Sequence, residues 1–351
     1  MIACQCDDLE AVRALISASA DAEQTAVLVK RVSPKLKITA LHLAAFHGAV
    51  DTVDLLLGHG ADPLSPNSEG DSPLLLAAHT GSSAVFFQLL SAIVASQSVA
   101  VHVAMPAADA AVAEAISPTP GPRDSPALAQ HASICSAMTV SASVCDVVWR
   151  ALCMASSEGM HCLLYAAESA HADLVDFILE LARRVDNHRS GSSGNTRNSS
   201  VQSLVNLCNI SASSALHFAI STSSTQIVDA LIGAGADVNA RTEDGFSALL
   251  LAVQEGNAAI VAALLAGGAD PNARDTWSHN TPLHIAIEAG RVDLVSLLLA
   301  NGGTTGAGVS RPQVDSTVTN LAGLTALMLA RSIQNDEVAA LLERHACGQV
   351  P

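Results

Sequence analysis

The chain has 351 residues and carries 17 Lys+Arg against 33 Asp+Glu, a formal net charge of −16. Half of it is hydrophobic but only 3% is aromatic, so the apolar content is Ala, Leu and Val, which suits close-packed helices better than strands. With 14% charged residues this excludes collagen, coiled coil and global disorder, and the acid surplus argues against nucleic acid, whose phosphates need Lys and Arg.

In chain order, Met1-Ile2-Ala3-Cys4-Gln5-Cys6 has neither a basic start nor an apolar core, so no secretory signal is expected. Residues 3–21 align with 44–62, Val12 on Val53, so the chain opens inside a first helix that lacks its start. The first full unit is Thr39-Ala40-Leu41-His42-Leu43-Ala44-Ala45, then a turn at Gly48, an aliphatic stripe over Val53–Leu57, and Gly60-Ala61-Asp62. A hydroxyl that can cap a helix, apolar residues at helical spacing and a glycine ending each helix predict two helices and a turn. A weaker copy starts at Ser72, with Pro73 where a missing N–H costs nothing. Its second half runs into 84–105, apolar enough to weigh as a membrane span, although Gln88, Ser91, Ser96, Gln97, Ser98 and His102 interrupt it.

Residues 96–132 predict a flexible insert rich in Pro, Ala and Ser, in which Ser117, Thr119 and Ser125 each precede proline and are candidate phosphorylation sites. A worn copy is expected over 133–155 and a recognisable one from His161, together spanning 133–182. Residues 183–204 predict a Ser/Gly-rich basic loop. The best-formed block, 205–346, has copies starting at Ser214, Ser247, Thr281 and Thr325, with an insert at 303–319 and a tail at 347–351. Ser214-Ala215-Leu216-His217 and Thr281-Pro282-Leu283-His284 repeat the first signature, and Gly235-Ala236-Asp237 and Gly268-Ala269-Asp270 repeat the second.

Neighbouring copies start 33 residues apart at 39 and 72, then 33, 34 and 44 apart from 214 to 325. A period near 33 carrying these two signatures resembles the ankyrin repeat over most of 1–95 and 146–346. The resemblance implies an all-α fold, a solenoid of helix-turn-helix units with finger loops, interrupted by flexible inserts. No single unit buries its apolar face alone, so the stack is what folds. It further implies that His42, His217 and His284 tether neighbouring loops, and that Asn206, Asn239 and Asn272 brace them. Asn239 best fits the position that asparaginyl hydroxylases modify in such proteins.

Chemistry is sparse. No HExxH, EF-hand, GxSxG or Walker-type sequence occurs, and Gly302–Gly308 lacks the Lys and hydroxyl of a phosphate cradle. Eight cysteines are irregularly spaced without a CxxC pair, which predicts reduced thiols in a cytoplasmic or nuclear protein, with no metal and no cofactor. The expected function is a non-catalytic scaffold or adaptor that binds another protein, not nucleic acid and not a membrane. By the resemblance, the partner meets a concave face of fingers and first helices. Over 205–301 that face holds Arg241, Glu243, Phe246, Gln254, Glu255, Arg274, Trp277, His279 and Glu288. Trp277 stands out, because an indole on a finger has no core to fill. Two alternatives remain: a membrane-tethered protein anchored through 84–105, and an ankyrin fragment of a larger signalling enzyme such as a kinase or acyltransferase.

Overall fold

The computed structural model describes residues 9–18, 22–102, 142–189, 200–300, 303–304, 310–311 and 313–347. The chain divides into two compact units, 1–204 and 205–351.

The second unit is the more regular. Helices α11 (Ala215–Ser221), α13 (Ala248–Glu255), α15 (Pro282–Glu288) and α17 (Ala326–Ser332) are the first helices of four copies. Helices α12 (Thr225–Gly233), α14 (Ala258–Ala266), α16 (Val292–Ala300) and α18 (Asp336–Ala346) are the second. Each first helix starts behind the expected hydroxyl: Ser247 accepts from the Leu250 N–H and Thr325 from the Met328 N–H. Consecutive first helices pack on one another, as do consecutive second helices. Leu216, Leu249 and Leu283 lie on α11, α13 and α15, at most 1% exposed, so the repeated leucine stacks in register. Small Ala residues such as Ala219, Ala252 and Ala286, all fully buried, let these short helices approach closely. In the last copy Arg331 stands where the others bury Ile220, Val253 and Ile287, and it pairs with Glu343 at 2.6 Å. That gives this copy a polar face where the other copies are apolar.

The insert at 303–319 is narrower than expected. Gly303–Thr304 (β1) pairs antiparallel with Ser310–Arg311 (β2). By Gln313 the chain is back in register, because Gln313-Val314-Asp315 occupies the place of Gly268-Ala269-Asp270, with Val314 buried.

In the first unit, α1 (Leu9–Ser17) packs on α4 (Val50–Gly58), and Val12 is buried like Val53, as the alignment of 3–21 with 44–62 requires. An additional helix, α2 (Ala22–Val29), precedes α3 (Ala40–Phe46). Helices α5 (Pro73–Thr80) and α6 (Ser83–His102) form the next copy, and α8 (Cys162–Glu168) and α9 (Ala172–Arg189) the one after. The first helices α3, α5 and α8 pack in sequence. Of the worn copy expected over 133–155, the described residues supply one helix, α7 (Ala142–Cys153). It packs against α6 and α9 and does not separate α5 from α8. That junction is closed by polar links: the buried Asp71 accepts from the Tyr165 hydroxyl at 2.8 Å, and the Ser157 N–H donates to the Glu69 carbonyl at 2.8 Å. Phe87 and Phe177 meet edge-on beside it, centroids 4.2 Å apart.

Two sequence expectations change here. A span through 84–105 does not hold, because Val85, Phe86, Leu89, Leu90 and Ile93 of α6 are at most 2% exposed, their apolar surface committed to the core. No helix among the described residues is long and apolar enough to cross a membrane. The Ser/Gly-rich loop expected over 183–204 is shorter, because Leu181, Ala182 and Val185 continue the buried stripe of α9 to Arg189. At its other end α10 (Ser200–Val205) begins, with Asp186 accepting from the Ser200 and Val201 N–H groups.

Candidate partner-binding face

Between successive copies the chain forms a finger, and each finger is built the same way. A polar side chain near its base accepts backbone N–H groups across the turn. Asn209 takes the Ser211 and Ser213 N–H groups at 3.1 and 2.9 Å, and Asn320 takes those of Ala322 and Leu324 at 3.1 and 3.0 Å. Asn67 and Ser156 do the same in the first unit, and Asp275 caps the Trp277, Ser278 and Asn280 N–H groups. These bracing residues are absent from the sequence expectations, yet the signal was there: Asn67, Ser156, Asn209 and Asn320 each stand five residues before a helix cap.

Fingers are then tied to their neighbours. The Glu243 N–H donates to the Ser211 carbonyl at 2.9 Å, and the Leu321 N–H to the Ser278 carbonyl at 2.8 Å. Between them the finger at 275–280 is one residue longer, and the Thr276 hydroxyl, instead of a backbone N–H, reaches the Asp244 carbonyl. Behind the fingers the asparagine ladder is present. Asn206 donates to Gly235 at 3.3 Å and accepts from the Asp237 N–H at 2.7 Å. Asn239 repeats this on Gly268 and Asp270 at 3.3 and 2.8 Å, and Asn272 on Gln313 and Asp315, both at 2.8 Å.

The repeated histidines lie beneath. His42 Nδ1 sits 3.1 Å from the Thr39 N–H and 2.8 Å from its hydroxyl, while Nε2 is 3.1 Å from the Asp71 carbonyl. His284 makes the same set with Thr281 and, at 3.1 Å, the Leu324 carbonyl. His217 pairs with Ser214 through Nδ1 in the same way, while its buried Nε2 has no hydrogen-bond partner among the described residues. In His42 and His284 Nδ1 accepts a backbone N–H, and Nε2 faces a carbonyl oxygen to which it donates, so the neutral tautomer with its proton on Nε2 is selected. Burial, which penalises the charged form, lowers the basicity of all three against the partial opposition of the carbonyls. The unfolded chain therefore takes up protons below about pH 6.5 that the folded one refuses, and stability falls with pH there. The urea midpoint should be lower at about pH 5.5 than at about pH 7.5; equal midpoints would show that the imidazoles are not held neutral. Among the described residues no group of three or more His, Cys, Asp or Glu could hold a metal ion.

The residues expected to meet a partner do not form one class. Trp277, at a finger tip, is 70% exposed. Glu243, Gln254, Glu255, Arg274 and His279 are also exposed, and Phe246 is half-buried. Arg241 is a brace: its guanidinium donates to the Gly245 carbonyl at 3.2 Å and to the Arg274 carbonyl at 2.7 Å, joining two copies. Glu288 accepts from the Asn280 amide at 3.3 Å, and Asn280 in turn accepts from Asn320 at 3.1 Å. His279 has φ +53°, at the position where neighbouring fingers use Gly245 and Gly323. Ile210 and Leu321 were not expected, yet each is 70% exposed and, like Trp277, stands four residues before its cap. The three share one finger position, with Glu243 between the first two.

Three stretches, 1–98, 188–275 and 216–307, match the family model for ankyrin repeats, together more than half of the chain. The chain belongs to the ankyrin-repeat family. The crystal structure of the ankyrin repeat domain of Bcl-3 superposes with a TM-score of 0.54, covering 87% of this chain and 98% of that one at 21% identity, a likeness of fold. A 90-residue stretch, 26% of this chain, is 34% identical to the E3 ubiquitin-protein ligase XB3 of Oryza sativa subsp. japonica. The match spans 19% of that protein's length.

Proposed function

We propose that this ankyrin protein is a non-catalytic scaffold whose 205–346 block grips a partner protein with its fingers and first-helix ends. Ankyrin repeats are a protein–protein interaction module. The observation that carries the reading is the row of exposed apolar tips, Ile210, Trp277 and Leu321, on fingers held rigid by bonds between neighbours. A braced backbone loses little freedom on binding, and Trp is among the residue types enriched in interface hot spots. Gln254, Glu255 and Arg274 supply a polar rim; Arg241 and Glu288 act by holding the fingers in place.

Trp277→Ala should weaken partner binding by at least about 30-fold, the size of a hot-spot loss. Its unfolding free energy should shift by no more than about 0.5 kcal/mol, because the indole is mostly in solvent. Titration of a partner recovered by affinity purification checks this, and unchanged affinity removes Trp277 from the face. Asn239 is the proposed hydroxylation position, tested by an oxygen-mass gain on its tryptic peptide. Ser117, Thr119 and Ser125, the proposed phosphorylation sites, lie outside the described residues. A cytoplasmic or nuclear location goes with the scaffold reading.

The likeness to an E3 ubiquitin-protein ligase favours a second reading, in which these repeats serve as the recognition arm of a larger signalling enzyme. Immunoblotting the native protein separates the two: a species well above 35.8 kDa that transfers ubiquitin in vitro supports the second.

A further inference from the structure

One segment of the first unit runs against the acidic character of the chain. No Asp or Glu occurs between Glu23 and Asp51, while Lys30, Arg31, Lys35 and Lys37 crowd into eight residues. All four are exposed, and none makes an ion pair with a described residue. The same stretch exposes aliphatic side chains: Val27 is 68% exposed, Leu28 39%, Val32 51% and Leu36 51%. Elsewhere in the first unit such residues are mostly buried.

The backbone here is a formed finger. The Ser33 N–H donates to the Ile38 carbonyl at 2.9 Å and the Lys37 N–H to the Ser33 carbonyl at 3.0 Å. The next finger grips it through the Ser68 N–H on the Leu36 carbonyl at 2.9 Å. Lys35, Leu36 and Lys37 therefore form a fixed tip, with Val27 and Leu28 on α2 and Lys30, Arg31 and Val32 just behind. Glu69 of the next finger pairs with none of the four cations.

We propose that this cationic, aliphatic finger docks the protein on an anionic lipid bilayer surface, lying on the membrane without crossing it. An anionic headgroup layer takes the Lys and Arg side chains, and the acyl boundary beneath takes the aliphatic ones, so one surface satisfies both. An acidic polypeptide would neutralise the cations and leave Val27, Val32 and Leu36 in water. A nucleic acid would want aromatic side chains to stack bases, and residues 22–39 contain none. Outside the finger the chain has 13 Lys+Arg against 33 Asp+Glu, so the same surface repels the rest of the molecule and orients this finger toward it.

Co-sedimentation of the full chain with vesicles of phosphatidylcholine alone, or containing about 30% phosphatidylserine, tests the proposal. Pelleting is expected only with phosphatidylserine and should be lost at about 1 M salt, where charges are screened within about 3 Å. Each cation removed should weaken partitioning about fivefold, so Lys35→Ala with Lys37→Ala costs about 25-fold. Val32→Ser with Leu36→Ser should weaken it as well. Circular dichroism should show every variant folded, since these side chains are exposed. No pelleting on phosphatidylserine vesicles overturns the proposal, as does pelleting of the Lys35→Ala, Lys37→Ala variant equal to that of the unchanged chain. Capture by RNA or polyglutamate without vesicle binding also overturns it and reassigns the finger to an acidic macromolecule.

Discussion

Leu249→Ala should lower the unfolding free energy of the second unit by about 2–5 kcal/mol, the range for deleting a buried leucine side chain. Leu249 is 1% exposed on α13, and α13 packs on α11, α15 and α14 at once. The lost side chain is therefore missed by three neighbours, and short helices in backbone contact have little room to close the gap. Each copy contacts only the next, so the loss should propagate along the stack and not stay local. Urea denaturation followed by circular dichroism measures it. A loss below about 1 kcal/mol would show that the leucines do not share a common seam. Whole-domain stability is only about 5–15 kcal/mol, so this one change removes a large share of it.

Gly245→Ala should be nearly as damaging, about 2–4 kcal/mol, although only a methyl is added. Gly245 has φ +82°, where an L side chain costs about 1–2 kcal/mol. A Cβ there would also lie 2.1 Å from Thr276 Cγ2 and 2.9 Å from its Oγ1. Thr276 can retreat only by giving up its bond to the Asp244 carbonyl, the link that replaces a backbone bond between these two fingers. The reverse change one finger earlier should be favourable. Ala212 has φ +56° at the equivalent position, and Ala212→Gly should raise stability by up to about 1 kcal/mol, the relief of strain exceeding the added entropy of the unfolded chain. Thermal melts of both variants give the comparison. Equal melting temperatures would show that finger backbone strain is not felt by the fold.

The helices, their caps and the leucine seam were legible in the sequence because they are short-range and periodic. A hydroxyl, a turn and an apolar stripe act within one helical turn, and repetition at 33 residues lets weak copies be read from strong ones. Three functions of side chains were not legible for the same reason inverted: they depend on what another copy places opposite. Arg241 reads as a partner contact, and only the next copy's Arg274 carbonyl shows that it also braces two copies. Glu288 reads as a partner contact, and only the fold shows that it also holds Asn280. Ile210 and Leu321 read as ordinary aliphatic residues and stand in solvent beside the row of Trp277.

The cationic finger shows the same division. Its composition, four cations and no acid from Glu23 to Asp51, is visible in the string of letters. That Val27, Leu28, Val32 and Leu36 point outward is a property of the folded unit. By itself, the amino-acid order determined the repeat, its helices and the polar braces of each loop, since these arise from contacts between residues close along the chain. The tertiary structure alone decided where the 56-residue excess between Ser72 and His161 is absorbed, by packing α5 directly on α8 and laying α7 against α6 and α9. It also decided which exposed residues are braced and which are free. The physical reason is that burial and bonding between copies depend on distance in space, which a linear period does not encode once an insertion breaks it.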